Sequence, residues 1–272
     1  MSVKLIATDL DGTLMAPDHI TVTPRTYNAL MSAHGKGVKI AIATGRTLSF
    51  TKNVIQQLPF IDYVVYSNGA SVYDRNAGRD IYRNHISPEA TQSVLKLLEN
   101  MPIYYNCYYD GHILVQKDKV EHYQNRDLLP AEFLDLFVSC SEEYDSLCRE
   151  MKGKSAEIIA MYSVNEAQKH ALVKEFKSHS LHITSSLPNE FEVTAPDVNK
   201  GTALEGLCRV TGYDLSEIMS FGDALNDREM LEISGLSFAM GNACEECKKT
   251  AKYTALTNAE DGVAQAIEKF VL

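Results

Sequence analysis

A chain of 272 residues, 45% of them hydrophobic, can bury one large core or two smaller ones. Its 36 acidic residues outnumber 26 basic ones, and the net charge of −10 argues against non-specific binding to nucleic acid or an anionic membrane, since both need a basic patch. No apolar run approaches the roughly 18 residues of a membrane span. The N-terminal MSVKLIATDLDG lacks the pattern of a signal peptide, so a cytoplasmic location is expected.

The first third alternates strand and helix signals. VKLIATDL is a short apolar run suited to a strand buried on both faces. Thr23-Pro24 marks a helix start, with threonine as cap and proline in the first turn. Tyr27, Leu30 and Met31 are expected to form its apolar face, and HGKG ends it. VKIAIAT (38–44) is a second strand, 46–58 a helix and DYVVYS (62–67) a third strand. This alternation predicts right-handed crossovers and a parallel sheet, with ligands binding beyond the carboxyl ends of its strands. Each of the three strands ends in a polar cluster: DLDGT, TGR and SNG.

The middle third has a different texture. PEATQSVLKLLEN predicts a helix, and IYYNCYYDGHILVQ a hairpin turning at Asp110-Gly111. The tyrosines of this hairpin are expected to pack a sheet on its own core rather than stack on substrate. EEYDSLCREM is expected to be helical, SAEIIAMYSV a strand, NEAQKHALVKEFKSH a helix and LHITSSLPNEFEVTA a strand pair. Residues 84–190 are therefore expected to form an inserted α+β domain, with 1–83 and 191–272 forming the main α/β domain.

The last third returns to alternation. NKGTALEGLCRVTG predicts a helix with Leu204, Leu207 and Cys208 on one face. IMSFGD (218–223) is a strand ending in a carboxylate, LNDREMLEIS helical, LSFAMGN a strand, EECKKTAKY helical and DGVAQAIEKFVL a terminal helix. The six cysteines are expected to be reduced thiols, and CEEC (244–247) lacks the second pair or nearby histidines a zinc site would need.

Four polar sites call for one explanation: Asp9/Asp11, Thr44-Gly45-Arg46, Lys200 and GDALND at 222–227. Gathered on one rim, Asp9, Asp11, Asp223 and Asp227 would repel one another unless solvent or a cation offset their charge. Oxygen ligands with one lysine favour a hard ion, Mg2+ before Zn2+. That set suits phosphoryl transfer. Asp9 can attack phosphorus, and Asp11 can protonate the leaving oxygen and then deprotonate water. Thr44 and Lys200 can hold phosphoryl oxygens, and Gly12 lets the backbone turn beside them. Arg46 could touch substrate or simply solvate a helix start.

These motifs resemble those of the haloacid-dehalogenase-like phosphatases. DLDGTL matches the family's DxDGT signature, IATGR resembles its second motif, NKG its lysine motif and GDALND its acidic motif, all in the family's order. SNGA (67–70) and GNACEECKKTAKY…DGV (241–263) resemble the subfamily with a large insert after the third strand, called Cof-type or type IIB. The resemblance implies a Rossmann-like parallel-sheet core with a mobile α/β cap that sets specificity. It also implies Mg2+-dependent hydrolysis of small phosphorylated metabolites, sugar phosphates or similar, through an aspartyl-phosphate. By matching position, Asp9 is the nucleophile, Asp11 the acid/base, and Thr44 and Lys200 hold phosphate. Asp9, the Asp11 carbonyl and Asp223 ligate the metal with support from Asp227. Gly45, Arg46, Asn68, Gly69 and Asn226 are candidates for the phosphate pocket. A phosphomutase, or a non-catalytic metabolite-binding regulator on the same fold, is the alternative. The intact set Asp9, Asp11, Thr44, Lys200 and Asp223 argues against the regulator, which needs no nucleophile.

Overall fold

The N-terminal apolar run forms strand β1 (Leu5–Thr8), buried at every position. In the computed structural model, residues 2–122, 131–162, 166–184 and 191–272 are described. Helix α1 (Pro24–Gly35) begins where expected, the Thr23 side chain accepting a hydrogen bond from the Thr26 N–H. Its buried stripe is Thr26, Ala29, Leu30 and Ala33 rather than the expected Tyr27, Leu30 and Met31. Three of these four are small residues, Met31 is exposed, and Tyr27 packs edge-on to Phe60. Strand β2 (Lys39–Ala43) follows. The helix expected over 46–58 is shorter: a single 3₁₀ turn at Ser49–Thr51 leads into α2 (Lys52–Gln57). After β3 (Tyr63–Tyr66), the strands β4 (Ser71–Asp74) and β5 (Arg79–Arg83) make a hairpin absent from the expected elements. Its signal was DRNAG, where the Asp74 carboxylate accepts the Asn76 and Ala77 N–H groups.

In the middle third come α3 (Pro88–Glu99), β6 (Tyr104–Tyr109) and β7 (His112–Gln116). Asp110 and Gly111 both adopt left-handed φ, 49° and 76°, as a two-residue hairpin turn requires. Helix α4 (Ala131–Ser139) was not foreseen. The expected helix at 142–151 divides into β8 (Ser141–Tyr144) and the single-turn α5 (Leu147–Glu150). Pairing of β8 along β7 outweighs the local helical preference of its glutamates. Then follow β9 (Ile158–Tyr162), α6 (Glu166–Ser178), β10 (His182–Thr184) and β11 (Phe191–Thr194). Residues 185–190, between the two strands of the last expected pair, lie outside the described residues. Among the described residues these strands form a six-stranded sheet in the order β10-β11-β9-β6-β7-β8. Alternation along β6 sends Tyr105 and Cys107 into a core with Val94, Leu98 and Phe176. Tyr104 and Tyr108 enter a second core with Phe50, Ile113 and Ile158. The tyrosines pack their own sheet, as expected.

The last third supplies α7 (Lys200–Thr211), β12 (Ile218–Gly222), α8 (Arg228–Ile233), β13 (Leu236–Ala239), α9 (Glu245–Thr250), β14 (Tyr253–Thr254) and α10 (Gly262–Phe270). Among the described residues, β12–β14 and β1–β5 build an eight-stranded sheet in the order β14-β13-β12-β1-β2-β3-β4-β5. It is parallel from β14 through β3 and antiparallel beyond. Leu204, Leu207 and Cys208 of α7 pack on Leu5, Ala7, Ala41 and Val65 of the strands. The fold class is therefore α/β with a parallel-sheet core.

The chain divides into two compact units: Met1–Arg46, Thr51–Arg83 and Asn199–Leu272, and Thr47–Phe50 with Asn84–Val198. The second return point differs from the expected one at residue 190. Strand β11 hydrogen-bonds to β9 and β10, so residues 191–198 go with the smaller sheet. In the first unit, parallel neighbours β12, β1, β2 and β3 bring four strand ends side by side, the place where such sheets bind ligands.

Candidate active site

Asp9 follows β1 directly, and its N–H donates to Phe221 O of β12 at 3.0 Å, joining the two strand ends. The chain then turns sharply through Gly12, whose φ is 77°. A Cβ there would lie 2.4 Å from Asp223 Oδ2, so only glycine allows the loop this close to the carboxylate. The next residue uses that approach: Thr13 Oγ1 donates to Asp223 Oδ1 at 2.6 Å.

Lys200, the first residue of α7, is fully buried. Its Nζ donates to Asp9 Oδ1 at 2.7 Å and to Asp227 Oδ1 at 2.6 Å. Helix α7 is held at this end by a reciprocal cap between Asn199 and Thr202, which sets where the lysine enters the site. Asp227 Oδ2 accepts the N–H groups of Asp223 and Ala224 at 2.9 and 3.0 Å. Both oxygens of Asp227 are thus engaged in holding the lysine and the 223–227 loop. Cys247, from CEEC, donates its thiol to Ala224 O in the same loop.

At the end of β2, Thr44 is buried, and its Oγ1 accepts the Arg46 N–H at 3.1 Å. The Arg46 guanidinium turns back to Asp11: Nε to Oδ2 at 2.9 Å and Nη2 to Oδ1 at 2.6 Å. Beyond β3, Ser67 N–H donates to Arg46 O, and Asn68 N–H to Thr44 O. Gly69 packs so closely on Asn199 that a Cβ would lie 2.2 Å from its carbonyl oxygen. Asn226 Nδ2 donates to Asn68 Oδ1 at 3.0 Å. All eleven expected site residues therefore stand on one rim, at the ends of β12, β1, β2 and β3 and the start of α7.

The charge balance on this rim is uneven. Ligand atoms of Asp9, Asp223 and Asp227 all lie within 4.8 Å of one another, and Asp9 and Asp227 share the Lys200 ammonium. Burial pushes Asp9 well above the usual carboxylate range; Lys200 opposes this, while Asp227 and Asp223 reinforce it. Burial likewise raises Asp223 to about 6, against the pull of the Thr13 hydroxyl. Burial alone would lower Lys200, but Asp227 and Asp9 overcome it and hold the ammonium above its ordinary value. Ionised, the three carboxylates and the one ammonium sum to a net charge of −2. An all-oxygen donor set with that excess fits a hard divalent cation.

The profile of the haloacid dehalogenase-like hydrolases matches residues 6–267, nearly the whole chain. The chain belongs to this family. The phosphatase YwpJ of Bacillus subtilis is 31% identical over 291 residues, covering 98% of this chain and 99% of its own. The 5-amino-6-(5-phospho-D-ribitylamino)uracil phosphatase YcsE of the same organism is 28% identical, covering 100% and 97%. A solved sugar phosphatase of subclass IIB superposes with a TM-score of 0.80 at 26% identity, covering 98% and 99%. The enzyme class is phosphoric monoester hydrolase, in its capped Cof-type branch.

One participant in this haloacid dehalogenase-like site escaped sequence reasoning. His19 Nδ1 lies 3.0 Å from Asp11 Oδ1, and its carbonyl accepts Arg46 Nη2 at 2.8 Å. Burial alone would raise Asp11, but hydrogen bonds from His19 and Arg46 hold it below its ordinary value. The only available signal was the proximity of His19 to DLDGT, eight residues from Asp11. Gly12→Ala adds a clash to an unfavourable φ, and is expected to cost about 1–3 kcal/mol of stability in thermal unfolding.

Proposed function

We propose that this phosphatase hydrolyses small phosphorylated metabolites, sugar phosphates or similar, through an aspartyl-phosphate on Asp9 with Mg2+ as cofactor. The observation that carries this reading is Lys200 bridging Asp9 and Asp227 beside Asp223. Three carboxylates around one buried ammonium cost stability, and they suit a site built for a cation and a phosphoryl dianion. Asp9 and Asp223 would hold Mg2+ with the Asp11 carbonyl, and Asp227 would support them by fixing the loop. When bound, the ion offsets charge on the phosphoryl oxygens.

The remaining chemistry falls to the chain. Lys200 engages Asp9 Oδ1, leaving Oδ2 to attack phosphorus. As the O–P bond forms, the ester P–O bond breaks, and Asp11 in its protonated form gives the leaving oxygen its proton. A water then bonds to phosphorus, its proton passes to Asp11, and the acyl-phosphate bond breaks to release inorganic phosphate and the Asp9 carboxylate. Thr44 keeps its O–H as a donor to a phosphoryl oxygen, since its lone pair already takes the Arg46 N–H. Gly45, Asn68, Gly69 and Asn226 would line the phosphate pocket, while Arg46 acts through Asp11. Substrate choice is assigned to the second unit.

A panel of phosphorylated metabolites, assayed with Mg2+ for inorganic phosphate, tests the proposal. Release from sugar phosphates or related alcohol phosphates is expected. Isomerised product with little free phosphate would instead mean a phosphomutase, and inertness across the panel a regulator. Mg2+ alone is expected to raise the melting temperature, with a stabilisation that grows with the logarithm of its concentration and reaches about 2.7 kcal/mol at a hundred times its dissociation constant. EDTA is expected to reverse the shift, and a flat melting temperature would remove the metal from the site.

A further inference from the structure

We infer that His19 is a positioning residue for the acid/base Asp11, holding its carboxylate together with Arg46 in the orientation that proton transfer needs. This rests on the aspartyl-phosphate reading above. Three residues close a ring: Arg46 Nε and Nη2 bind Asp11 Oδ2 and Oδ1, His19 Nδ1 meets Oδ1, and Arg46 Nη2 also binds the backbone carbonyl of His19. Arg46 is almost fully buried, but Asp11 and His19 side chains are 33% and 38% exposed. A carboxylate at the solvent edge gripped by one partner can swing; a second grip from another stretch of chain restricts it.

The loop that carries His19 is built for this placement. His19 has φ 59°, a conformation that asparagine or glycine takes more readily than histidine. Its N–H donates to Ala16 O, and Ala16 N–H to Thr21 O. Asp18 Oδ1 accepts both the Ile20 and Thr21 N–H groups. From α2, Gln57 Nε2 donates to Ile20 O and its Oε1 accepts the Val22 N–H. A loop tied at so many points, with an unfavourable φ under the imidazole, delivers a ring nitrogen to Asp11.

The role separates the two half-reactions. Expulsion of p-nitrophenolate needs no proton, so attack by Asp9 on p-nitrophenyl phosphate should proceed without a well-placed Asp11. Hydrolysis of the resulting acyl phosphate still needs Asp11 to take the proton from water. His19→Gly removes the ring and relieves the backbone; His19→Asn keeps a donor and tolerates the left-handed φ. With p-nitrophenyl phosphate, His19→Gly is expected to release about one nitrophenolate per chain rapidly and then turn over slowly. With a sugar phosphate turned over by the unaltered enzyme, its kcat is expected to fall about tenfold or more, with KM within about threefold. His19→Asn is expected to recover most of the lost kcat.

A His19→Gly enzyme with unchanged or increased kcat overturns the inference. So does a loss confined to KM, or slow turnover without a burst. Asp9→Asn, run in parallel, tests the underlying mechanism separately. If Asp9→Asn still turns over, the aspartyl-phosphate is wrong and the inference falls with it. If Asp9→Asn is inactive while His19→Gly is fully active, only the positioning role is wrong.

Discussion

Asp9→Asn is expected to abolish phosphate release, lowering kcat by on the order of 10⁴-fold or more, as loss of a nucleophile does. The amide keeps the shape of the carboxylate but cannot form an acyl phosphate. Acid-quenched samples of the unaltered enzyme should carry one phosphoryl group on the peptide containing Asp9, and the variant none. Lost activity should not come from unfolding. Burial already raises the Asp9 carboxyl, opposed in part by Lys200, so its ionised form is a net burden on the fold at neutral pH. The melting temperature of Asp9→Asn without divalent ions is therefore expected to match or exceed that of the unaltered protein. Turnover within tenfold of normal would remove Asp9 from the chemistry.

Lys200→Met should fail differently, losing activity and stability together. The ammonium sits between Asp9 and Asp227 with no exposed surface. Removing the one cation of this buried group leaves its carboxylates uncompensated and costs about 3–5 kcal/mol. In a chain of this size that lowers the melting temperature by roughly 10 °C. The pH dependence supplies a sign. Lys200 is held above its ordinary 10.5, so its contribution is present throughout the neutral and acidic range and fades only above that value. Asp223 is an acid raised from 3.8 to about 6, so its ionisation costs stability as pH climbs through that window. The deficit of Lys200→Met, measured in EDTA, is therefore expected to shrink as pH falls from 7 towards 4. A deficit that grows over that interval would show that the carboxylates do not bear the charge.

Much of the site was legible because its residues lie in short contiguous motifs at strand ends. Asp9 to Thr13, Thr44 to Arg46 and Gly222 to Asp227 each occupy one turn, and local sequence reports such turns well. What each carboxylate does was less legible. Asp11 and Asp227 read as members of one acidic cluster. In three dimensions Asp227 spends both oxygens on Lys200 and its own loop, and Asp11 pairs with Arg46 and His19. These pairings join residues up to 35 positions apart, and no local pattern specifies them. Arg46 looked ambiguous between substrate contact and helix start; the folded chain turns it to Asp11.

By itself the amino-acid sequence determined the alternation of strands and helices, the parallel core and the carboxylates at its rim. These follow from apolar periodicity, caps and turn residues, interactions within a few positions of one another. Only the tertiary structure decided that Ser141–Tyr144 is a strand and that residues 191–198 go with the smaller sheet. Those outcomes depend on which edge of which sheet was free to hydrogen-bond, and that is settled by chain far away in sequence. The grip on Asp11 was decided in the same way, by a histidine loop and an arginine that meet only when the strands are laid side by side.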